Sequence, residues 1–304
     1  RILKDFKVPD FKFKKIKMEN VENIDEVNVD YEKIMKSESK HKEYIKTNYQ
    51  TIKEIFDKVR VEYADRPFIL EKFNPKGEFK TITFREFSDD VIALGTALTN
   101  KYNLKNERIV IIGENTYHWY VSYMAMVCGT GIAVPVDKEL PVNEIENVIN
   151  RSKATAVIYS TKKKEVIKKV EDKLPTVKYF IQMNSDDELQ GREIGINTII
   201  KQGKEMIAKG DDSFNKIEID PDEFKVLIFT SGTTSKAKGV MICNRNLAEN
   251  INAVSTYVKL YPTDRLFSVL PLHHTYECSI GFLLPMANGS SIAVCQGLKH
   301  IVPD

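Results

Sequence analysis

Cysteine is scarce in this sequence, and an excess of charge of either sign is missing. The 304 residues include four cysteines; none forms a C-x-x-C pair, and no histidine lies at zinc-ligand spacing from a cysteine pair. A disulfide or metal framework is therefore not expected, and scattered thiols in apolar stretches predict a reduced, cytoplasmic protein. With 45 basic and 43 acidic residues, the net charge of +2 predicts no nucleic-acid partner.

Long uninterrupted apolar runs are also missing. Uncharged stretches at 119–136 and 278–298 are broken by glycine and proline, whereas a membrane-spanning helix needs about 20 mostly apolar residues. The pattern of 119–136 predicts a buried helix followed by a buried strand. Residues 1–20 are charged throughout, unlike a secretory signal peptide.

The composition and the hydrophobic periodicity of the sequence change along its length. Residues 1–47 are rich in lysine and predict a solvated extension with a short helix. The alternative is a basic arm that contacts a membrane surface, because lysines cluster around Phe11 and Phe13. We predict a first α/β subdomain at 48–190, a polar surface connection at 191–222, and the start of a second α/β subdomain at 223–304.

Short, continuously apolar strands are predicted at 109–112, 132–136 and 156–159, with helical patterns between them. This alternation is typical of a doubly wound α/β domain with a parallel sheet. Thr83 and Glu86 form a capping-box pattern at the start of one helix. Asn244 is predicted to cap another.

The most informative stretch, 226–240, reads V-L-I-F-T-S-G-T-T-S-K-A-K-G-V. An apolar strand leads into ten residues rich in hydroxyl groups, and a second apolar strand follows. Backbone N–H groups of a glycine-containing loop form a concave anion site, and Gly232 allows a ligand close to the backbone. Lys236 and Lys238 add positive charge suited to phosphate. The alternative is a hydroxyl-rich surface hairpin without a ligand.

Two common nucleotide motifs do not match this stretch. The P-loop requires Gly-Lys-Ser/Thr five residues after its first glycine, but Ala237 stands there. Gly129 and Gly131 lack the third glycine of a dinucleotide fingerprint. The loop is also predicted to join two strands, not a strand and a helix.

Residues 230–240 closely resemble the signature loop T-S-G-T-T-G-x-P-K-G of the adenylate-forming enzymes, which include acyl-CoA synthetases, peptide-synthetase adenylation domains and luciferases. The sequence departs from that pattern at Ser235 and Ala237. Residues 65–69 resemble the family's opening P-D-R-P-A, and 109–141 are similar to its N-x-x-E-W…G-x-x-x-V-P block. The segment L-P-L-H-H-T-Y-E at 270–277 resembles the L-P-L-x-H-x-x-E segment of fatty acyl members.

The resemblance implies the layered α-β-α subdomains of the adenylate-forming N-terminal domain, a truncated part of the whole fold. It implies that ATP phosphates are bound by Thr230, Ser231, Gly232, Thr233, Thr234, Ser235 and Lys238. Thr230 would lie near Mg²⁺. His274, Tyr276 and Glu277 would lie close to the acyl or adenylate pocket, and His273 fills a place that varies in the family.

The resemblance further implies activation of a carboxylic acid by ATP to acyl-AMP, followed by transfer to CoA, with a fatty acid as the expected substrate. Family motifs for adenine, ribose, the hinge and the catalytic lysine are not found, and the first residue is Arg1, not Met. No catalytic set is therefore complete here, and we expect this chain alone to be inactive. Two alternatives stay open: an aryl-CoA ligase or adenylation domain, and a non-catalytic nucleotide-binding module.

Overall fold

The fold was examined in a computed structural model that describes residues 47–73, 77–230, 238–295 and 297. The predicted extension, apart from its last residue, and positions 231–237 of the hydroxyl-rich loop lie outside these described residues. The strands are β1 Pro67–Glu71, β2 Lys80–Thr83, β3 Arg108–Ile112, β4 Ile132–Val136, β5 Ala156–Tyr159, β6 Tyr179–Gln182, β7 Glu193–Gly195, β8 Phe224–Thr230, β9 Lys238–Cys243, β10 Arg265–Ser268 and β11 Ser291–Val294.

Helices alternate with these strands over most of the described chain. The α-helices are α1 Ile52–Glu62, α2 Phe84–Asn100, α3 Tyr117–Ala125, α4 Val142–Ser152, α5 Lys164–Lys168, α6 Ile196–Ala208, α7 Asn244–Ser255 and α8 Leu284–Ala287. Two π-helical segments, Met126–Thr130 and Glu277–Leu283, continue α3 and precede α8.

A seven-stranded sheet has the order β7-β6-β5-β3-β4-β8-β9, and its neighbours are parallel except for the antiparallel pair β8–β9. Alternate residues of β3 enter two different hydrophobic cores: Ile109 and Ile111 one core, Val110 and Ile112 the other. Both faces of the sheet are therefore covered, which explains why its central strands are continuously apolar. The predicted α/β class is confirmed.

A second sheet, of four strands, has the order β10-β11-β1-β2. Strand β1 pairs in parallel with β11, with Ile69 opposite Ile292, and in antiparallel with β2. The earliest and latest described strands thus lie side by side. Pairing at this sequence distance leaves no local signal.

The sheets divide the chain differently from the predicted subdomains. Strands β8 and β9, assigned to the second subdomain, complete the first sheet, while β1 and β2 pair into a sheet with β10 and β11. The interpretation of 191–222 as a polar connection is wrong over β7 and α6. Helix α6 buries Ile196 and Ile199, and its Gly203 lies so close to Ala93 that a Cβ there would be 1.9 Å from the Ala93 carbonyl oxygen.

The two predicted helix caps have different outcomes. The capping box of Thr83 and Glu86 is present at the start of α2, as predicted. Asn244 is not the cap, because the N-cap of α7 is Cys243, which forms a capping box with Asn246. The fully buried Asn244 side chain instead accepts a hydrogen bond from the Ile52 backbone N–H at 2.6 Å and donates one to the Val127 carbonyl at 2.9 Å.

The uncharged run at 119–136 forms a helix followed by strand β4, as predicted. No helix in the described part of the chain combines the length and the apolar character needed to cross a bilayer. All four cysteines are free thiols, three of them buried.

Candidate functional site

Strands β8 and β9 form a hairpin that brings the ends of the hydroxyl-rich loop together. Thr230 lies opposite Lys238 and Phe229 opposite Gly239 in the antiparallel ladder. Thr230 and Lys238 are both exposed. The loop therefore joins two strands, as the sequence predicted. Ser231, Gly232, Thr233, Thr234 and Ser235 lie outside the described residues, so their phosphate-binding role stays a prediction.

The hairpin opens at the carboxyl edge of the parallel sheet. Strand β8 runs parallel to β4, and Thr230 is its last residue. Ligands of open α/β sheets bind outside the carboxyl ends of the strands. The predicted phosphate loop thus stands at the edge where such sheets bind their ligands.

A small apolar cavity lies beside the two strands of the hairpin. It is lined by Tyr123, Pro135, Val226, Ile228, Ile242, Leu247, Leu272, His273, Thr275, Cys278 and Ser279. Its volume is about 20 Å³, enough for roughly one water molecule. An acyl chain would need side chains of this wall to move apart. Because the lining joins the hairpin to the segment 272–279, this cavity connects the two motifs that the sequence singled out.

His273 is the imidazole that lines this cavity. Its buried Nε2 has no hydrogen-bond partner among the described residues and lies 3.7 Å from Asp137 Oδ1, too far for a hydrogen bond. Burial lowers the pKa of His273 to about 4, which keeps the ring neutral at pH 7. Its ring lies against that of His274, with the centroids 4.1 Å apart.

The three residues predicted near the acyl pocket occupy different positions. His274 is exposed, and Tyr276 is 65% exposed. Glu277 is buried but does not line the cavity. Their roles toward a substrate stay predictions. The cavity residue of the adjacent histidine pair is His273, which received less weight from the sequence because the family pattern marks only the second histidine.

Glu277 belongs to a buried hydrogen-bond network centred on Ser268. The Ser268 hydroxyl donates to Glu277 Oε1 at 2.9 Å and accepts from Tyr120 Oη at 2.8 Å and from Asn115 Nδ2 at 2.9 Å. Burial raises the pKa of Glu277, and the bond from Ser268 opposes that shift. Gly281 leaves room for this carboxyl group, since a Cβ there would lie 2.5 Å from it. The network anchors the end of the L-P-L-H-H-T-Y-E segment.

A second buried carboxylate, Glu71, links the four-stranded sheet to α3. It ends β1 of the four-stranded sheet and accepts a hydrogen bond from the backbone N–H of Tyr117, the first residue of α3. Burial raises the pKa of Glu71 to about 7, although the Tyr117 N–H lowers it. Nothing in the sequence around Glu71 distinguishes it from a surface glutamate at a strand end.

Carboxylate clusters suited to a metal are not found in the part of the chain that the structure describes, where no group of three or more His, Cys, Asp and Glu converges. Thr230, which the sequence predicted to lie near Mg²⁺, is among the residues that the structure describes. A cation there would take most of its ligands from phosphate oxygens and water, which Mg²⁺ commonly does.

A larger cavity of about 610 Å³ lies elsewhere, between α2, α3 and α6. Two pairs of its polar side chains already bind each other. Lys204 pairs with Asp90 at 2.6 Å, and Nδ1–H of His118 donates to Asn184 Oδ1 at 2.6 Å. Its size alone therefore does not make it the better candidate site.

Comparison with known proteins identifies relatives over most of the chain. Residues 56–303 match the family model described as "AMP-binding enzyme". A long-chain-fatty-acid–CoA ligase 5 of Rattus norvegicus is 29% identical over 274 residues, covering 86% of this chain and 40% of that protein. Its Mus musculus counterpart is 31% identical over 243 residues, covering 76% of this chain and 35% of the relative. The chain thus spans well under half the length of these relatives.

Solved structures share the fold. A long-chain-fatty-acid–CoA ligase from Archaeoglobus fulgidus superposes with a TM-score of 0.67 at 19% identity, covering 82% of this chain and 47% of that structure. At this identity the likeness shows the fold alone. The family match over residues 56–303 shows that the chain belongs to the AMP-binding enzyme family.

Proposed function

We propose that this chain supplies the acid-binding and ATP-phosphate-binding parts of an acyl-CoA synthetase. One observation carries the proposal: the apolar cavity is walled by both strands of the β8–β9 hairpin and by the segment that contains His273. An acid bound there would have its carboxyl end close to the loop predicted to hold ATP phosphates. Activation of an acid by ATP requires this proximity.

The proposed reaction has two steps. A carboxylate oxygen of the acid bonds to the α-phosphorus of ATP as the bond to pyrophosphate breaks, which gives acyl-AMP. The thiol of CoA then loses its proton and bonds to the acyl carbon as AMP leaves. Neither step needs a nucleophilic side chain. The chain's own contribution is to position the acid and to donate hydrogen bonds and positive charge, from Thr230, Lys238 and the loop between them, to phosphate oxygens.

The residues present fit ATP with Mg²⁺ and a CoA cosubstrate to different degrees. Hydroxyl and ammonium groups at the hairpin suit a triphosphate. Mg²⁺ would be held chiefly by the phosphates, with Thr230 nearby, and would neutralise charge as pyrophosphate leaves. No described residue is assigned to CoA. The chain spans 40% of the length of one relative, so a CoA site outside this chain is compatible with the proposal.

A fatty acid is the substrate class that the cavity favours. Its wall is dominated by aliphatic and aromatic side chains, and buried apolar area is what distinguishes a hydrocarbon chain from a polar acid. The relatives named as long-chain-fatty-acid–CoA ligases agree with this choice. We also propose a cytoplasmic location, consistent with the four free thiols.

The single tryptophan of the sequence provides a direct test of acid binding. Trp119 stacks on Tyr123 with ring centroids 5.4 Å apart and planes at 11°, and Tyr123 lines the cavity. Titration with palmitate is expected to change Trp119 fluorescence saturably, whereas benzoate leaves it unchanged. Thr275→Phe, at an exposed position on the cavity wall, is expected to weaken the palmitate response.

Trp119→Phe is the control that assigns the signal to this side chain. A saturable response to benzoate but not to palmitate would favour the aryl-acid alternative. No response to either acid would contradict the proposed acid site.

A further inference from the structure

The Asn115 side chain makes three hydrogen bonds, two through its amide nitrogen and one through its carbonyl oxygen. Its Nδ2 donates to Ser268 Oγ at 2.9 Å and to the Leu270 carbonyl at 2.7 Å, and its Oδ1 accepts from the Leu272 backbone N–H at 3.1 Å. Three bonds from one amide therefore hold the strand end at Ser268 and the chain that follows it. A half-buried amide with both donors and its oxygen bonded in this way is specific for one geometry.

The position of Asn115 makes this contact rigid on one side. It lies in the turn between β3, a central strand of the seven-stranded sheet, and α3. The bonded chain on the other side has little regular structure of its own between β10 and the π-helical segment. Asn115 thus ties a loop to the turn that follows a central strand of the seven-stranded sheet.

The loop that Asn115 holds is a wall of the proposed acid pocket. Leu272, His273 and Thr275 line the apolar cavity, and Leu272 is bonded directly to Asn115. We infer that Asn115 is the positioning residue that places the wall formed by 270–275 for binding of the acid. The identity of the ligand in this inference rests on the proposed function, whereas the hydrogen bonds from Asn115 to the loop are independent of it.

The residue type is decisive at this position. Aspartate keeps the acceptor for the Leu272 N–H but loses both donors, and it adds a negative charge to a network that already contains Glu277. Alanine removes all three bonds. Ser268→Ala disrupts the same network at another residue. It removes the hydroxyl that accepts from Asn115 Nδ2 and donates to Glu277. Two independent variants therefore probe one geometry.

The first arm of the test measures amide hydrogen exchange in the 304-residue chain. In Asn115→Ala and Ser268→Ala, exchange of the Leu272 N–H and its neighbours in 270–276 is expected to rise roughly tenfold or more. Exchange in β3 and β5 is expected to stay unchanged. Asn150→Ala, which loses one bond to the Lys173 carbonyl on the far side of α4, is the matched control.

The second arm measures binding of palmitate, by Trp119 fluorescence, and of Mg·ATP, by thermal shift. Asn115→Ala is expected to weaken palmitate binding roughly tenfold and to leave Mg·ATP binding unchanged. A merely structural role would weaken both ligands alike.

Unchanged exchange in 270–276 would overturn the inference, and so would equal losses for palmitate and Mg·ATP. If the parent chain binds no palmitate, the proposed function fails, and the exchange arm still decides whether Asn115 positions the loop.

Discussion

Thr230 lies directly opposite Lys238 across the antiparallel ladder of β8 and β9. A hydroxyl group and an ammonium group thus stand at the two ends of the loop that resembles a phosphate-binding signature. The loop starts after Thr230 and ends before Lys238. It lies at the carboxyl edge of a sheet in which all other neighbouring strands are parallel. The candidate phosphate site is therefore a hairpin loop and not a loop that enters a helix.

Glu71→Gln is expected to change how stability depends on pH. The folded pKa of Glu71 is about 7, raised from an ordinary value of 4.5. The stability contributed by the protonated form is complete below about pH 4.5 and is lost as pH rises through about 7, a loss of about 3 kcal/mol. Glutamine stays neutral and can still accept from the Tyr117 N–H.

Urea unfolding of both proteins at pH 5 and at pH 8 measures this effect. The variant is expected to be the more stable of the two at pH 8, with a much smaller difference at pH 5. Other titrating groups contribute equally to both proteins. Parallel stability profiles would show that Glu71 does not carry this pH dependence.

Asn244→Ala is expected to destabilise the fold strongly. The change leaves the Ile52 N–H and the Val127 carbonyl without their partner, at a site that is fully buried. Buried unsatisfied groups cost about 1–3 kcal/mol each, so we expect a loss of roughly 3 kcal/mol.

Chemical unfolding measures that loss, and Asn246→Ala is its matched control. Asn246 is exposed and accepts only the Cys243 N–H and Sγ, so losing this cap is expected to cost about 1 kcal/mol. Equal effects of the two variants would contradict the assigned role of Asn244.

Acyl-CoA formation is not expected from this chain alone. The chain spans 40% of the length of one relative, and the motifs for adenine and for the catalytic lysine are not found in it. Incubation of the purified chain with palmitate, Mg·ATP and CoA, followed by chromatography of the products, tests this expectation. Palmitoyl-CoA above the level of a heat-denatured sample would contradict it.

Local patterns predicted the elements well, because each is decided by nearby residues. The apolar runs at 109–112 and 156–159 became β3 and β5, and the capping box at Thr83 required only Glu86 three residues later. The family of the chain also followed from a continuous motif. These features depend on short stretches of sequence.

Features that depend on distant partners could not be predicted in this way. The pairing of β1 with β11 joins residues more than two hundred positions apart. Asn244 matched a cap by type, but partners in α1 and in the π-helical segment use its side chain instead. The choice of His273 over His274 as the cavity residue depends on how one loop is held by Asn115, which no periodicity records.

The most direct test of the account is stabilisation of this chain by Mg·ATP. A ligand at 100 times its dissociation constant stabilises a fold by about 2.7 kcal/mol, which a thermal-unfolding experiment detects. The account predicts an upward shift in the parent that Lys238→Ala and Thr233→Ala each lose, while the exposed Lys201→Ala, on α6, keeps it. No shift in the parent, or an equal shift in all four proteins, would contradict the assignment of the hairpin loop as a phosphate site.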